Sequence, residues 1–260
     1  MRISLLQMDL AWADPAKNRA TASRLIDAAP GSDLYILPEM FSTGFAAKPE
    51  GIAEADGVSL QWMKEKAKAT GAAICGSIAT EDGGRYYNRM YFVKPDGSVA
   101  HYDKHHLFTY SGEDKRYTPG EKHVVVEWKG FRIMLEVCYD LRFPVWVRNR
   151  ITTSPQDDCA KEEYLYDMIV YVASWPVSRQ GAWETLLHAR AIENQCWVAG
   201  VNRVGKDPGN IYVGGSMLID PWGKALASCI RGGESVSSTE VDLETLNAFR
   251  KEFPVLKDAD

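Results

Sequence analysis

Short apolar runs recur along the chain, and turn residues or longer amphipathic stretches separate them. Runs of about four to eight apolar or alternating residues are typical of β-strands, because successive side chains of a strand point to opposite faces. The segments that carry this pattern, and that we predict to be strands, are residues 3–10, 33–37, 72–79, 87–93, 124–128, 133–137, 168–173 and 197–201.

Two segments between these strands have helical signals. The first covers residues 15–28 and begins at Asp14 and Pro15, a pair that favours a helix start. The second covers residues 58–70 and stops before Gly71, a residue type that commonly ends helices. Both segments are therefore predicted to be helices.

A third helical pattern precedes the last predicted strand. Trp183, Leu187 and Ala191 recur every fourth residue, which indicates one buried helical face and is interpreted as core. Elsewhere, strands follow one another through turn signals at residues 82–84, 95–97, 129–130 and 221–223. Helix-separated strands together with hairpins predict a mixed α/β protein whose sheets are covered by helices, with two packed sheets plausible.

The length and composition favour one domain over residues 1–260. Hydrophobic residues make up 45% of the chain and charged residues 25%, which is ordinary for a globular protein with a buried core. The polar, proline-containing segment 152–163 is predicted to be a surface insertion.

The charge pattern bears on partners and location. The net charge is −5, the isoelectric point is near 5.6, and the chain has no dense basic run, so neither nucleic acid nor an anionic membrane is expected as a partner. The first 15 residues lack a cationic leader, and no stretch approaches the roughly 18 apolar residues of a membrane span. We expect a cytoplasmic protein that acts on a small molecule.

The five cysteines are scattered and show no C-x-x-C spacing, so neither a disulfide framework nor a zinc site is predicted. Four of them are interpreted as small buried hydrophobic residues: Cys75, Cys159, Cys196 and Cys229. The remaining cysteine, Cys138, follows a predicted strand and is considered separately.

Histidines cluster at His101, His105 and His106. A metal site needs three convergent donors, whereas His105 and His106 face opposite ways in an extended segment. We therefore expect no metal and no cofactor. One of these two histidines is predicted to anchor the adjacent loop by hydrogen bonds.

Three ionisable residues, Glu39, Lys104 and Cys138, each come directly after a strand-like run. Ligands of α/β proteins gather at the carboxyl ends of strands, so the three could meet in one pocket. Their chemistry also fits together: a cysteine attacks as thiolate, and a carboxylate base with a neighbouring cation can activate it. The lysine and the backbone N–H of Tyr139 could stabilise the resulting oxyanion.

Position alone leaves ordinary interpretations open for each of these residues. A glutamate after a strand is more often a cap or a surface charge, a lone lysine is usually solvated, and a buried cysteine usually serves packing.

The strings LPEMFSTGF, YDKHHLF and CYDLRFP occur in the order and context of the nitrilase superfamily, which the chain resembles. The resemblance implies that Glu39 is the general base, Lys104 the cation that stabilises the oxyanion and Cys138 the nucleophile. It implies an α-β-β-α sandwich that dimerises into an extended eight-layer arrangement.

Further strings, YYNRMYFVKPDG, ARAIENQCWVAGVNRVG and FPVLKDAD, extend the similarity over most of the chain. The bacterial omega-amidases are the branch that the chain resembles. These enzymes hydrolyse the terminal amide of 2-oxo dicarboxylic monoamides such as 2-oxoglutaramate, and the resemblance implies that activity here.

The resemblance suggests further site residues. Glu113 matches a second glutamate of many relatives and is expected to position water or support Lys104, although it could be an ordinary loop carboxylate next to Asp114. Arg142 lies where carbamoylase relatives place a carboxylate-binding arginine. A structural salt bridge of Arg142 with Asp140 or another carboxylate is the alternative.

Arg116, in the loop after Lys104, is a second candidate for anion binding. Glu136 departs from the pattern, because relatives usually have an uncharged residue there, often glutamine. Strand alternation puts Glu136 and Cys138 on the same side, so a carboxylate could raise the cysteine pKa and impair activity, find a buried partner, or end the strand near solvent.

Two alternatives to an omega-amidase stay open. The same triad could serve another small amide, an N-carbamoyl compound or a nitrile, because all of these react through one thioester or thioimidate pathway. The fold could also be a catalytically impaired ligand-binding module.

Overall fold

The computed structural model describes residues 1–153 and 162–259. Its α-helices are α1 (Pro15–Asp27), α2 (Val58–Thr70), α3 (Gln180–Asn194) and α4 (Leu243–Glu252). Its strands are β1 (Arg2–Gln7), β2 (Leu34–Ile36), β3 (Ala73–Asp82), β4 (Arg85–Val93), β5 (Val99–Asp103), β6 (Val125–Trp128), β7 (Phe131–Val137), β8 (Ile151–Thr153), β9 (Glu162–Tyr164), β10 (Met168–Ala173), β11 (Trp197–Asn202), β12 (Val204–Lys206), β13 (Ile211–Val213), β14 (Met217–Ile219), β15 (Ala225–Ser228) and β16 (Ser235–Glu240).

Twelve of these strands form two six-stranded mixed sheets, while β12 pairs with β13 and β8 pairs with β9 in separate two-stranded sheets. The first has the order β16-β1-β2-β3-β4-β5, and the second has the order β15-β14-β11-β10-β7-β6. In the first sheet β1, β2 and β3 are parallel, and in the second β7, β10 and β11 are parallel; the flanking strands are antiparallel. Such a mixture follows from the predicted combination of helical crossovers and hairpins.

The two sheets pack face to face, and helices cover their outer faces. Helices α1 and α2 bury their apolar sides against the first sheet, and α3 buries its apolar side against the second. The layer between the sheets is mostly aliphatic with a few aromatic residues, and its buried side chains include Ile3, Leu5, Ile36, Ile133, Leu135 and Val170. The predicted α-β-β-α sandwich is therefore confirmed.

The helix signals have direct structural counterparts. The Asp14 side chain accepts a hydrogen bond from the N–H of Lys17 at 3.0 Å and so caps α1. Gly71 ends α2 with a φ of 69°, a left-handed conformation that glycine adopts without a steric penalty. The third predicted helical face, including Trp183, is fully buried in α3.

All eight predicted strands are present, with ends shifted by a few residues. Strand β1 stops at Gln7 instead of residue 10, because the next residues turn to the second half of the molecule. There the carbonyl of Met8 accepts the N–H of Val204 at 2.9 Å, and Asp9 forms an isolated bridge with Val204. The four predicted turns join β3 to β4, β4 to β5, β6 to β7 and β14 to β15.

The sequence analysis did not identify helix α4 or the edge strand β16. Asp242 caps α4 through the N–H of Thr245 at 2.6 Å, and Leu246 and Phe249 bury its inner side, so a capping signal was present. Strand β16 is rich in serine, and its Ser238 hydroxyl contacts that of Ser4 at 2.6 Å. Its polar sequence hid it from a search based on hydrophobicity.

The predicted insertion 152–163 lies only partly within the described residues. Its two ends belong to β8 and β9, which pair antiparallel, while residues 154–161, including Cys159, lie outside the described part of the chain. In the part of the chain that the structure describes, no helix is both long enough and apolar enough to cross a membrane.

Candidate active site

Cys138 directly follows β7 and begins a short 3-10 helix, Cys138–Arg142. Its φ is 49°, a left-handed value that is uncommon for a residue with a side chain. The sharp change of direction places Cys138, a partly exposed residue, at the wall of a cavity. Backbone strain of this kind is concentrated at functional sites.

Glu39 lies just beyond the carboxyl end of β2 in the first sheet and is fully buried. Its Oε1 accepts hydrogen bonds from Lys104 Nζ at 3.0 Å and from Asn88 Nδ2 at 2.7 Å. Its Oε2 accepts the backbone N–H of Ser174 at 2.8 Å. Because Ser174 follows β10 of the second sheet, this bond joins the two sheets at the site.

Lys104 follows β5 and is also fully buried. Its Nζ lies 2.9 Å from Glu113 Oε2, and the other contact of Glu113 Oε2 is the N–H of Phe108 at 2.7 Å. Burial by itself lowers the pKa of Lys104, but the carboxylates of Glu113 and Glu39 outweigh it and raise that pKa well above its ordinary value. The lysine is therefore a fixed cation.

The environment of Cys138 favours the neutral thiol. Burial raises the pKa of Cys138, the charge of Glu39 raises it further, and Lys104 acts in the opposite direction. A thiol held in this form needs a base at the moment of attack. Glu39 is a carboxylate whose charge acts directly on this thiol, and it is already oriented by three hydrogen bonds.

The cavity beside Cys138 has a volume of about 130 Å³, which is room for a small organic molecule. Aromatic residues form a substantial part of its lining, and they include Tyr139 next to the nucleophile. The other lining residues are Phe45, Lys104, Phe108, Tyr110, Ser111, Arg142, Ser174, Trp175, Pro176, Arg179, Asn210 and Tyr212.

The structure separates the two arginines that the sequence suggested for anion binding. Arg142 lines the cavity, with its guanidinium carbon 5.2 Å from the centroid of the Trp175 ring. Arg116 does not line it, because its guanidinium pairs with Glu50 at the surface. The alternative partner of Arg142, Asp140, is engaged with His106 at 2.8 Å instead.

Glu136 is fully buried and does not line the cavity. Its Oε2 accepts the Tyr102 hydroxyl at 3.3 Å, and that hydroxyl also lies 2.9 Å from Asp140 Oδ2. Asp140 additionally accepts the N–H of Val137 at 3.1 Å. Burial, followed by the charge of Asp140, raises the pKa of Glu136 well above its ordinary value. The buried environment therefore favours the protonated form of Glu136.

The two neighbouring histidines hold the Lys104 loop in place. His105 Nδ1 lies 2.6 Å from the carbonyl oxygen of Gly120, and His106 Nδ1 lies 2.8 Å from Asp140 Oδ1. The predicted anchoring role is confirmed for both. Within residues 1–153 and 162–259, no group of three histidine, cysteine or acidic side chains is arranged to hold a metal.

Three residues at the site were missed by the sequence analysis. Asn88 bridges the two carboxylates, with Nδ2 at 2.7 Å from Glu39 and 3.1 Å from Glu113. The sequence did offer a signal for Asn88, because a side-chain amide within a buried part of β4 needs hydrogen-bond partners. Ser174 and Arg179 lie in the loop after β10, where a strand-end search would have found them.

Comparison with known proteins identifies the family. The family described as carbon-nitrogen hydrolase matches residues 2–251. The chain is 42% identical over 261 residues to the omega-amidase YafV of Yersinia enterocolitica, covering 100% of this chain and 97% of that protein. It is 35% identical over 263 residues to the 2-oxoglutaramate amidase of Bacillus subtilis (strain 168), covering 98% of this chain and 96% of that protein.

A solved structure agrees with this result. XC1258 from Xanthomonas campestris, a CN-hydrolase superfamily protein with an arsenic adduct in its active site, superposes with a TM-score of 0.94 at 43% identity and covers 100% of this chain and 97% of that chain. The family match and the full-length relatives confirm the resemblance seen in the sequence strings, and the chain belongs to the carbon-nitrogen hydrolases of the nitrilase superfamily.

Proposed function

We propose that this protein is an omega-amidase-like hydrolase. It releases ammonia from the terminal amide of a small 2-oxo dicarboxylic monoamide, such as 2-oxoglutaramate, through a cysteine thioester. The observation that carries the proposal is the buried contact of Glu39 with Lys104, which lines the same small cavity as Cys138. The full-length similarity to an omega-amidase and a 2-oxoglutaramate amidase supports this substrate class.

In the proposed first half-reaction, Glu39 takes the proton of the Cys138 thiol as the sulfur attacks the amide carbonyl. The C–N bond then breaks, Glu39 returns the proton to the leaving nitrogen, and ammonia departs from the thioester. In the second half-reaction, Glu39 takes a proton from water as the water attacks the thioester. The C–S bond then breaks, Glu39 returns the proton to the Cys138 sulfur, and the acid leaves. Support comes from the raised pKa of Cys138, since a thiol that is not ionised at rest requires such a base.

The tetrahedral intermediates carry negative charge on the former carbonyl oxygen. Lys104 and the backbone N–H of Tyr139 are proposed to stabilise it, because preorganised donors in a dry site are effective at this task. Glu113 is proposed to hold Lys104 in position, and the 2.9 Å contact between them supports this role. Arg142, at the cavity wall, is proposed to bind the substrate carboxylate.

The first test is ammonia release by Cys138→Ala. We expect turnover to fall by about 10³-fold or more, because the nucleophile is lost. Cys229→Ala is a matched control, since that cysteine is buried away from the cavity and should leave turnover nearly unchanged. Circular dichroism and melting curves check that both variants fold. Appreciable ammonia release by Cys138→Ala would disprove the covalent mechanism.

Substrate comparison separates the mechanism from the substrate. Values of kcat/KM are measured for 2-oxoglutaramate, 2-oxosuccinamate, glutamine, an N-carbamoyl amino acid and an aliphatic nitrile, and a 2-oxo monoamide is expected to give the highest. A higher value for the nitrile or the N-carbamoyl compound would overturn the substrate assignment and leave the thioester pathway intact. No turnover of any of them would favour an impaired ligand-binding module.

The family resemblance also supports assembly into a homodimer with an extended eight-layer sandwich, and we propose this arrangement. The organisation of residues 1–260 as one domain is proposed as well, supported by a family match over residues 2–251.

The cytoplasmic location stays a prediction of the sequence.

A further inference from the structure

Two guanidinium groups lie at the wall of the Cys138 cavity. Arg142 and Arg179 both line it, and neither forms an ion pair with a carboxylate in the described ranges 1–153 and 162–259. Other arginines of the chain behave differently: Arg89, Arg132 and Arg250, for example, each pair with an aspartate. The cavity arginines are thus available for an anionic ligand.

Packing holds Arg179 against the cavity. Its guanidinium carbon lies 5.1 Å from the ring centroid of Phe108 and 5.8 Å from that of Tyr110, both of which also line the cavity. Its carbonyl oxygen accepts the indole N–H of Trp175 at 2.7 Å. The face of the same indole carries Arg142, so one tryptophan links the positions of both arginines.

The cavity lining contains no aspartate or glutamate among the described residues. The nearby carboxylates are already committed: Glu39 and Glu113 bind Lys104, and Asp207 accepts the Tyr212 hydroxyl. A substrate ammonium would therefore meet two guanidinium groups and no counter-ion. A carboxylate would meet two forks of N–H donors that match its geometry.

We propose that Arg179 determines specificity together with Arg142, the two forming a clamp that binds the 2-oxo acid end of the substrate while its amide lies at Cys138. This inference rests on the proposed function and deepens it. The clamp favours a carboxylate with an adjacent keto oxygen, which together present three acceptors. It disfavours the corresponding amino acid, because the two guanidinium groups repel the α-ammonium and the cavity lining offers it no carboxylate partner.

The test measures kcat/KM of the full-length protein for 2-oxoglutaramate, glutamine and a neutral methyl-ester analogue of the acid. Arg179→Gln is expected to lose about 10- to 100-fold with 2-oxoglutaramate, mostly through KM, and far less with the neutral ester. Arg179→Lys should recover part of the loss, because it restores the charge without the planar fork. Arg116→Gln is the matched control. That arginine lies at the surface beside Glu50, so its replacement should leave kcat/KM unchanged for both 2-oxoglutaramate and the neutral ester.

A binding measurement is independent of turnover. Cys138 is alkylated with iodoacetamide while 2-oxoglutarate, a non-reacting dicarboxylate, is titrated as a protecting ligand, and the modified peptide is quantified by mass spectrometry. Protection is expected in wild type and in Arg116→Gln, and at least tenfold more ligand should be needed in Arg179→Gln.

The outcomes separate the two proposals. If wild type hydrolyses 2-oxoglutaramate and Arg179→Gln keeps the wild-type preference for acid over ester, the clamp is refuted and the omega-amidase assignment stands. If wild type hydrolyses no 2-oxo monoamide, that assignment fails. In that case the alkylation experiment decides about the clamp. If 2-oxoglutarate protects Cys138 in wild type but not in Arg179→Gln, the carboxylate clamp is still supported, and equal protection in both proteins refutes it.

Discussion

Met40 and Cys138 follow the carboxyl ends of strands in opposite sheets, and both have left-handed backbone conformations, with φ values of 44° and 49°. Such conformations cost about 1–3 kcal/mol for residues other than glycine. The conformation at Met40 is held in place by its N–H, which donates to the Ser77 hydroxyl at 2.8 Å. These left-handed conformations turn the chain sharply, so that Glu39 faces the second sheet and Cys138 faces the cavity.

A second feature at the residue scale is Glu136, which makes the stability of the folded protein depend on pH. Besides burial, the groups that act on it are Asp140, the Tyr102 hydroxyl and the side chain of Trp146. The raised pKa of Glu136 means that its protonated form favours the folded state. Its contribution to stability is complete below the unfolded pKa of about 4.5 and is lost as pH rises through the folded pKa.

We therefore predict that Glu136→Gln, which is neutral at every pH, gains stability relative to wild type as the pH rises from 5 to 8. The gain in the free energy of unfolding is expected to be on the order of 1 kcal/mol or more. Urea unfolding at several pH values measures it. Glu127→Gln, an exposed position, is the control and should run parallel to wild type. Parallel curves for Glu136→Gln as well would show that Glu136 is ionised in the folded protein.

Among the elements, α3 and β11 pack unusually closely. A Cβ atom placed on Gly200 of β11 would lie 2.5 Å from Leu187 and 3.0 Å from Trp183 of α3. Both of these side chains are fully buried, so they have little room to move away. The glycine is what allows the helix to reach the sheet.

Gly200→Ala is consequently expected to lower the free energy of unfolding by about 1–3 kcal/mol, as overpacking of a dense core does. Gly181→Ala, in the first turn of the same helix, is the control because nothing lies within 4 Å of its added methyl group. It should be neutral or slightly stabilising. Equal denaturation midpoints for Gly200→Ala and wild type would mean that the interface of α3 and β11 adapts without cost.

At the scale of the whole molecule, the two sheets repeat one arrangement. The orders β16-β1-β2-β3-β4-β5 and β6-β7-β10-β11-β14-β15 each place three parallel strands between one antiparallel strand and an antiparallel pair. The site lies where the ends of parallel strands from both sheets meet, as the bond from Ser174 to Glu39 demonstrates. Neither sheet alone contains the complete set of contacts.

The proposed homodimer is tested at this scale. Ile192, Trp222 and Phe253 form an apolar patch outside the sandwich, with exposures of 54%, 63% and 52%. If a second copy covers this patch, light scattering should give twice the monomer mass, and Ile192→Glu should shift the protein toward monomer. Val58→Glu, at an exposed site on α2, should leave the dimer intact. A monomeric wild type would refute the dimer, and a dimer unaffected by Ile192→Glu would move its interface elsewhere.

The sequence by itself determined where helices begin and end and which helical face is buried. The cap at Asp14, the stop at Gly71 and the buried face of Trp183, Leu187 and Ala191 were predictable because helix ends and faces depend on residues only a few positions apart. Strand ends made Glu39, Lys104 and Cys138 candidates for one pocket, and the sequence strings predicted their roles and the family.

Only the tertiary structure decided which groups face one another. Asn88 stands out as an amide within β4, but only the fold shows that it joins Glu39 to Glu113, and that Arg179 lies at the cavity beside Trp175. Glu136 looked like a charge beside the nucleophile until the fold placed Tyr102 and Asp140 next to it. These partners lie dozens of residues apart, and burial and charge act through space, so their pairing and protonation depend on how the two sheets pack.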